Sequence, residues 1–282
     1  MASPDPVLLR LTARCNSGCA HCPVADLREL PELPLAEAAA RIERGRAEGA
    51  RELVFQRGEA TLVRGLLKLV RRARELGYER ITLETNGRML TYPEYVEKLT
   101  DAGLTDVAQS VFAHVAPLHD AIDGTAGAFE QAMAGMARVL DSPLRLEVRV
   151  PVVRRNHVLL VEIVDELARL GVRRATFELP RPVKVGPAWQ VGALVRMDDA
   201  APFLRDALAR AEAMGLEART IGFPLCQLGA RGTTQARRDV ASTGPAAAVC
   251  EGCAALEACP RTWGSYQQVF GTWELRPLAT AP

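Results

Sequence analysis

One pattern recurs six times between residues 7 and 214: a short run of apolar and β-branched residues, a loop, then a stretch of helical periodicity, most often closed by glycine. The strand-like runs are 7–12, 52–56, 80–84, 106–112, 144–153 and 174–179. Apolar residues return at helical spacing between them, as in Val63, Leu66, Leu67 and Val70 or Phe129, Met133, Met136 and Leu140. Thr91 and Glu94 read as a capping box for the third helix, and the last long helix runs from about Asp199 to Met214. Strands separated by helices must pair in parallel through right-handed crossovers. Closing a full barrel takes eight such units, two more than the chain supplies. The expected fold is therefore α/β, a partial (β/α)6 TIM-like barrel over residues 1–221, with residues 222–282 as a small appendage.

That appendage is poor in apolar residues and needs a staple. Cysteine provides one. The seven cysteines sit at the two ends of the chain, Cys15, Cys19 and Cys22 and then Cys226, Cys250, Cys253 and Cys259. An odd, clustered set suits metal ligation better than a disulfide framework. The start of the chain has no basic leader, and no segment approaches about 18 uninterrupted apolar residues, so a cytoplasmic protein without a membrane partner is expected. A net charge of +1 argues against broad electrostatic capture of nucleic acid.

Parallel α/β folds gather their sites where strands end. Unusual residues fall there repeatedly: the thiol loop after the first strand, Gly58 and Glu59 after the second, Thr85-Asn86-Gly87 after the third, Ser110 at the end of the fourth, and Arg149 within the fifth. Three thiolates on one metal centre leave a position open, as catalysis requires. Two other readings of the loop stand beside this: a zinc site with His21 as fourth ligand, and a thiol loop that binds nothing.

Cys15-x3-Cys19-x2-Cys22 after a first strand resembles the signature of the radical S-adenosylmethionine (SAM) superfamily. Gly58-Glu59-Ala60-Thr61 is similar to its Gly-Gly-Glu-Pro motif, with Arg57 in place of the first Gly and Ala60 in place of the Pro. Thr85-Asn86-Gly87, the stretch from Ser110 through His119-Asp120 and Gly127-x-Phe129-Glu130, and Arg149-x6-Asn156 extend the likeness. The resemblance implies a 4Fe-4S cluster on Cys15, Cys19 and Cys22 whose fourth iron binds SAM. Reductive cleavage would then release a 5′-deoxyadenosyl radical that takes a hydrogen atom from substrate. It further implies that Glu59 and the backbone of Gly58, Ala60 and Thr61 receive the methionine ammonium. Ser110 and Arg149 would contact ribose and carboxylate, His21 would pack near the adenine, and Asn86 would join the same cofactor-binding set.

Cys250-x2-Cys253-x5-Cys259, with Cys226 ahead of it, resembles the SPASM and twitch extensions of that superfamily. The likeness implies a second, auxiliary 4Fe-4S cluster; a zinc site made by the four thiolates is the alternative. The expected activity is oxidoreductase-type, hydrogen abstraction from a peptide or protein side chain by a maturase, with flavodoxin or ferredoxin as electron donor. A small-molecule dehydrogenase or epimerase is the nearest alternative, though no cysteine is left over as an epimerase's hydrogen donor. A non-catalytic iron–sulfur carrier or a four-cysteine zinc scaffold is the reading of another class. Arg71, Arg72 and Arg74 read as a solvated face, and Trp263, Tyr266, Phe270 and Trp273 as the appendage's small core.

Overall fold

The computed structural model describes residues 5–229 and 244–280. Much of the Gly-, Thr-, Ser- and Ala-rich stretch that opens the appendage lies outside the described residues. The principal strands are β1 (Val7–Leu9), β2 (Glu52–Phe55), β3 (Arg80–Thr85), β4 (Asp106–Ser110), β5 (Arg145–Pro151) and β6 (Arg174–Glu178). A hairpin, β7 (Val183–Val185) and β8 (Ala188–Gln190), precedes β9 (Glu217–Ile221). Seven of them form one sheet in the order β1-β2-β3-β4-β5-β6-β9. Pairing is parallel where β1 meets β2, β2 meets β3, β3 meets β4 and β6 meets β9, with Leu53 opposite Ile81 and Ala175 opposite Ala218. Leu53, Val54 and Phe55 are all buried, as expected of parallel strands covered on both faces. The expected α/β class with a parallel sheet is thus observed, and its strand order is consistent with a partial barrel.

The crossovers are α1 (Leu35–Ala47), α2 (Leu66–Glu75), α3 (Pro93–Ala102), α4 (Ala116–Asp123), α5 (Ala128–Leu140), α6 (Leu160–Arg169) and α7 (Met197–Ala213). Two short helices, α8 (Leu225–Leu228) and α9 (Gly264–Phe270), follow. Helix α2 shows why its sequence folds this way: Leu66, Leu69, Val70 and Ala73 face the core, while Arg71, Arg72 and Arg74 stay exposed. Arg72 pairs with Glu43 and Glu75, so the arginine run is a solvated face.

Several local expectations need correction. Helix α3 has no capping box: Pro93 occupies its first turn, and Tyr92 holds the cap position with an extended backbone, so Thr91 falls in a preceding 3₁₀ turn. Helix α4 went unforeseen because its eight residues carry too little apolar periodicity to register, and they bury polar His119 and Asp123 beside Ile122. The hairpin was missed because its three-residue arms are mostly polar or exposed. A seventh strand of the large sheet, β9, ends at Ile221, at the expected start of the appendage, and Cys226 falls in α8. Tyr266 and Trp263 are buried, but Trp273 is 62% exposed and lies outside any core.

The chain divides into two compact units. One comprises residues 1–18, 24–111 and 119–148; the other comprises residues 19–23, 112–118 and 149–282. Among the described residues, no helix is long and apolar enough to cross a membrane.

Candidate active site

In the first unit, the loop after β2 closes on the chain that enters the thiol loop. Gly58 has φ +62°, and a Cβ there would overlap the carbonyl oxygen of Thr12. The next residue locks the approach, with the Glu59 N–H donating to the Arg14 oxygen at 2.8 Å. Glycine at 58 follows from this close approach. Arg57 has φ 62° as well, an uncommon conformation for a non-glycine residue and the one the replaced glycine would adopt freely.

Glu59 is 1% exposed, and both carboxylate oxygens are engaged. Oε1 accepts from the Thr61 hydroxyl at 2.6 Å, the Thr61 N–H at 3.2 Å and the Thr85 hydroxyl at 2.9 Å. Oε2 accepts from the Asn86 N–H at 2.9 Å and the Thr85 hydroxyl at 3.0 Å. Burial pushes its pKa up from the ordinary carboxylate value, and these hydrogen bonds resist the shift. Glu59 therefore clamps the β2 loop to the end of β3, with Ala60 and Thr61 buried in the turn it caps.

Asn86 extends the clamp to the thiols. Its Nδ2 donates to Asn16 Oδ1 at 2.7 Å and Ser17 Oγ at 3.0 Å, and lies 3.6 Å from Cys15 Sγ. Arg88 donates to the Asn16 carbonyl oxygen and, from Nε, to Gln131 Oε1 at 2.6 Å. Helix α4 braces the loop from another side: Gly18 N–H donates to Asp123 O at 2.8 Å, and a Cβ on Gly124 would press against the Gly18 carbonyl. Arg88 was missed at the sequence level, having no motif of its own; Thr85 was quoted only as motif context. Ser110 ends β4, half-buried.

In the second unit, Cys22 N–H donates to Cys19 O at 3.2 Å, closing a tight turn. The His21 ring is buried edge-on to Phe112, with centroids 5.2 Å apart, and burial lowers its pKa to about 4. The ring is neutral at neutral pH, and its Nδ1 finds no hydrogen-bond partner among the described residues. Arg149 is buried within β5. Asn156 is fully buried and holds backbone: Nδ2 donates to Phe112 O at 2.9 Å and Pro151 O at 2.8 Å, while Oδ1 accepts from Val153 N–H at 2.8 Å. Arg181 reaches Pro23 O at 3.0 Å, just past Cys22.

The same unit brings four thiols together. Cys226, Cys250, Cys253 and Cys259 line one cavity, with Leu225 and Leu278 among its apolar walls. Burial pushes the Cys226 thiol up, the other three thiols add to this by charge repulsion, and the backbone N–H of Arg276 donates to it and opposes. Leu278 N–H donates to Cys253 Sγ at 3.3 Å. Among the described residues, no three His, Cys, Asp or Glu side chains converge on a single-ion site. The thiols instead surround a space.

The Radical SAM superfamily pattern matches residues 9–155. An AdoMet-dependent heme synthase from Methanosarcina barkeri is 33% identical over 171 residues, covering 60% of this chain and 48% of that protein. A pre-heme d1 synthase from Dinoroseobacter shibae is 30% identical over 165 residues, covering 57% and 40%. The chain spans about half the length of the curated relatives it matches. Streptococcus suis SuiB bound to S-adenosylmethionine superposes with a TM-score of 0.67 at 15% identity, over 84% of this chain and 55% of that one. With more than half its length matched by that pattern, this chain belongs to the radical SAM superfamily.

Proposed function

We propose that the chain is a radical SAM enzyme that abstracts a hydrogen atom from a tetrapyrrole, with Cys15, Cys19 and Cys22 as ligands of the SAM-binding 4Fe-4S cluster. The observation that carries the first part is the bracing of the thiol loop by residues of the matched pattern, from Glu59 through Asn86 to Asn16, Ser17 and Cys15. When bound, the cluster and SAM supply the 5′-deoxyadenosyl radical; the protein binds, orients and excludes water. With the Glu59 oxygens already occupied, its part is to hold the turn at residues 58–61 in the shape that presents backbone to the methionine end. His21, neutral and buried, offers an apolar face and one unused ring nitrogen to the adenine. Ser110 and Arg149 are assigned the ribose and carboxylate ends.

The tetrapyrrole reading is supported by the relatives, several of which are heme, Fe-coproporphyrin III or pre-heme d1 synthases at 28–33% identity. It is a form of the small-molecule alternative drawn from the sequence. Peptide modification is the second reading, favoured by the fold likeness to SuiB bound to its precursor peptide SuiA at 14% identity.

Residues 222–282 are proposed to carry the auxiliary cluster on Cys226, Cys250, Cys253 and Cys259. Four thiols around one cavity, with Cys253 already accepting a backbone N–H bond, suit thiolates that each hold a separate iron. An electron passed to that cluster would complete an oxidation of the substrate radical.

The test is anaerobic reconstitution, an iron and sulfide count, and incubation with SAM and dithionite. The expected result is about eight irons per chain and formation of 5′-deoxyadenosine. Fully loaded protein that fails to cleave SAM overturns the catalytic reading. Iron-coproporphyrin should shift its Soret band on titration with the protein and stimulate cleavage. Stimulation by a peptide library but not by the porphyrin would select the second reading.

A further inference from the structure

Near the C-terminus a short strap, residues 274–278, closes over the four-thiol cavity, and its anchor is a buried carboxylate that the proposed chemistry does not use. Glu274 is 1% exposed. Its Oε2 accepts from the Tyr266 hydroxyl at 2.5 Å, and that hydroxyl in turn accepts from Met197 N–H at 2.9 Å. Oε1 accepts from Asp198 N–H at 3.2 Å and from Arg196 Nε at 3.3 Å. The strap is thus tied to the first turn of α7, where exposed N–H groups favour a negative charge. Gln227, next to Cys226, adds a second tie by donating to the Glu274 carbonyl at 2.6 Å and to Asp198 Oδ1 at 2.9 Å.

Two residues on, the Arg276 guanidinium grips Asp198 with two bonds of 2.8 Å, and Arg276 lines the same cavity as Cys226. Leu278 is held from both sides: its oxygen accepts from Ala254 N–H at 2.9 Å, and its own N–H donates to Cys253 Sγ. This anchoring fixes a strap whose residues 275–278 line the cavity, with the Leu278 amide on Cys253 Sγ.

We propose that Glu274, with Tyr266, is a positioning residue for the auxiliary site: it holds the strap so that the amide of Leu278 donates to the thiolate of Cys253 and raises the reduction potential of the group that thiolate binds. This rests on the reading that the four-thiol cavity holds an iron–sulfur cluster. Hydrogen bonds to ligand sulfur stabilise the extra negative charge of the reduced cluster, so losing them lowers the potential. The strap then makes the auxiliary cluster a better acceptor of an electron from the substrate radical.

Three variants test this in the reconstituted full chain. Tyr266→Phe removes the hydroxyl that holds Glu274, Glu274→Gln removes the charge, and Leu278→Pro deletes one donated N–H directly. Redox titrations followed by electron paramagnetic resonance read the two clusters separately. The auxiliary midpoint potential should shift negative in the charge-neutral variants Tyr266→Phe and Leu278→Pro, most in Leu278→Pro, while the SAM-binding cluster keeps its potential; in Glu274→Gln the lost negative charge offsets part of the shift, so the charge-neutral pair decides. Loss of auxiliary iron in both charge-neutral variants would assign the strap to holding the site together and overturn the tuning role. An unchanged auxiliary potential in loaded Tyr266→Phe and Leu278→Pro overturns it, even if Glu274→Gln fails to fold. Wild-type protein with about four irons plus zinc instead removes the cluster reading beneath it, a distinguishable failure.

Discussion

Two glutamates, each 1% exposed, stand behind the two thiol sets and are built differently. Glu59 is satisfied by uncharged donors from Thr61, Thr85 and Asn86, all drawn from two loops at the ends of adjacent strands. Glu274 gathers Tyr266 and the start of α7, more than 70 residues earlier, and includes the charge of Arg196. The Arg196 guanidinium carbon lies 4.2 Å from the ring centroid of exposed Trp273. The first arrangement makes a short, rigid turn from neighbouring loops. The second fastens a returning segment to the start of a helix distant in sequence. Buried donors of Thr61 and Thr85 have no water to turn to once their acceptor is gone, so the Glu59 clamp should be the less tolerant of the two.

The sharpest contrast concerns the thiols themselves. Cys19→Ala should abolish 5′-deoxyadenosine formation altogether, whereas Cys253→Ala should keep SAM cleavage without substrate and lose auxiliary iron. Equal loss in both variants would erase the distinction between the two sites. Next, Glu59→Ala leaves the donors of Thr61, Thr85 and Asn86 facing a cavity and should cost about 3–5 kcal/mol in denaturant unfolding. Glu274→Ala should cost less, about 2–3 kcal/mol, because Arg196 is one-third exposed and can turn to water. A reversed order would refute the argument from buried donors.

Gly58→Ala comes third. It meets both a positive φ and the Thr12 carbonyl, so a loss of about 1–3 kcal/mol is expected, with lowered iron in the N-terminal site and full auxiliary iron. The smallest effect is electrostatic. Burial raises the Asp106 pKa, but bonds from Arg145 and Thr105 and the charges of Arg80 and Arg145 outweigh it, so the folded value lies below the ordinary one. Its stabilisation is therefore complete above about pH 4 and lost as pH falls through the folded pKa. Asp106→Asn should cost about 1 kcal/mol at pH 7 and flatten the acid limb of the stability curve, which thermal unfolding at several pH values would show.

Much of the fold was legible because parallel strands and amphipathic crossovers carry strong periodicities; Leu53–Val54–Phe55 and the apolar stripe of α2 are examples. Helix α4 and the hairpin were not, since neither repeats a pattern for long enough. At the site, cysteine spacing and the Gly58-Glu59 and Thr85-Asn86-Gly87 motifs were visible. The Arg88 contact with Asn16 and the Asp123 contact with Gly18 were not, because each joins residues with no shared motif.

Sequence alone determined that three thiols follow the first strand and four follow the last crossover, and that Gly58 and Glu59 follow the second strand. These are local facts, written in spacing and residue type. Only the tertiary structure decided that Glu59 is a clamp with its oxygens occupied, that Asn86 spans from the third strand to the thiol loop, and that residues 274–278 return to the four-thiol cavity and set an amide on Cys253. Each depends on which distant groups share a buried space, where a polar atom must find a partner or carry the cost of its burial.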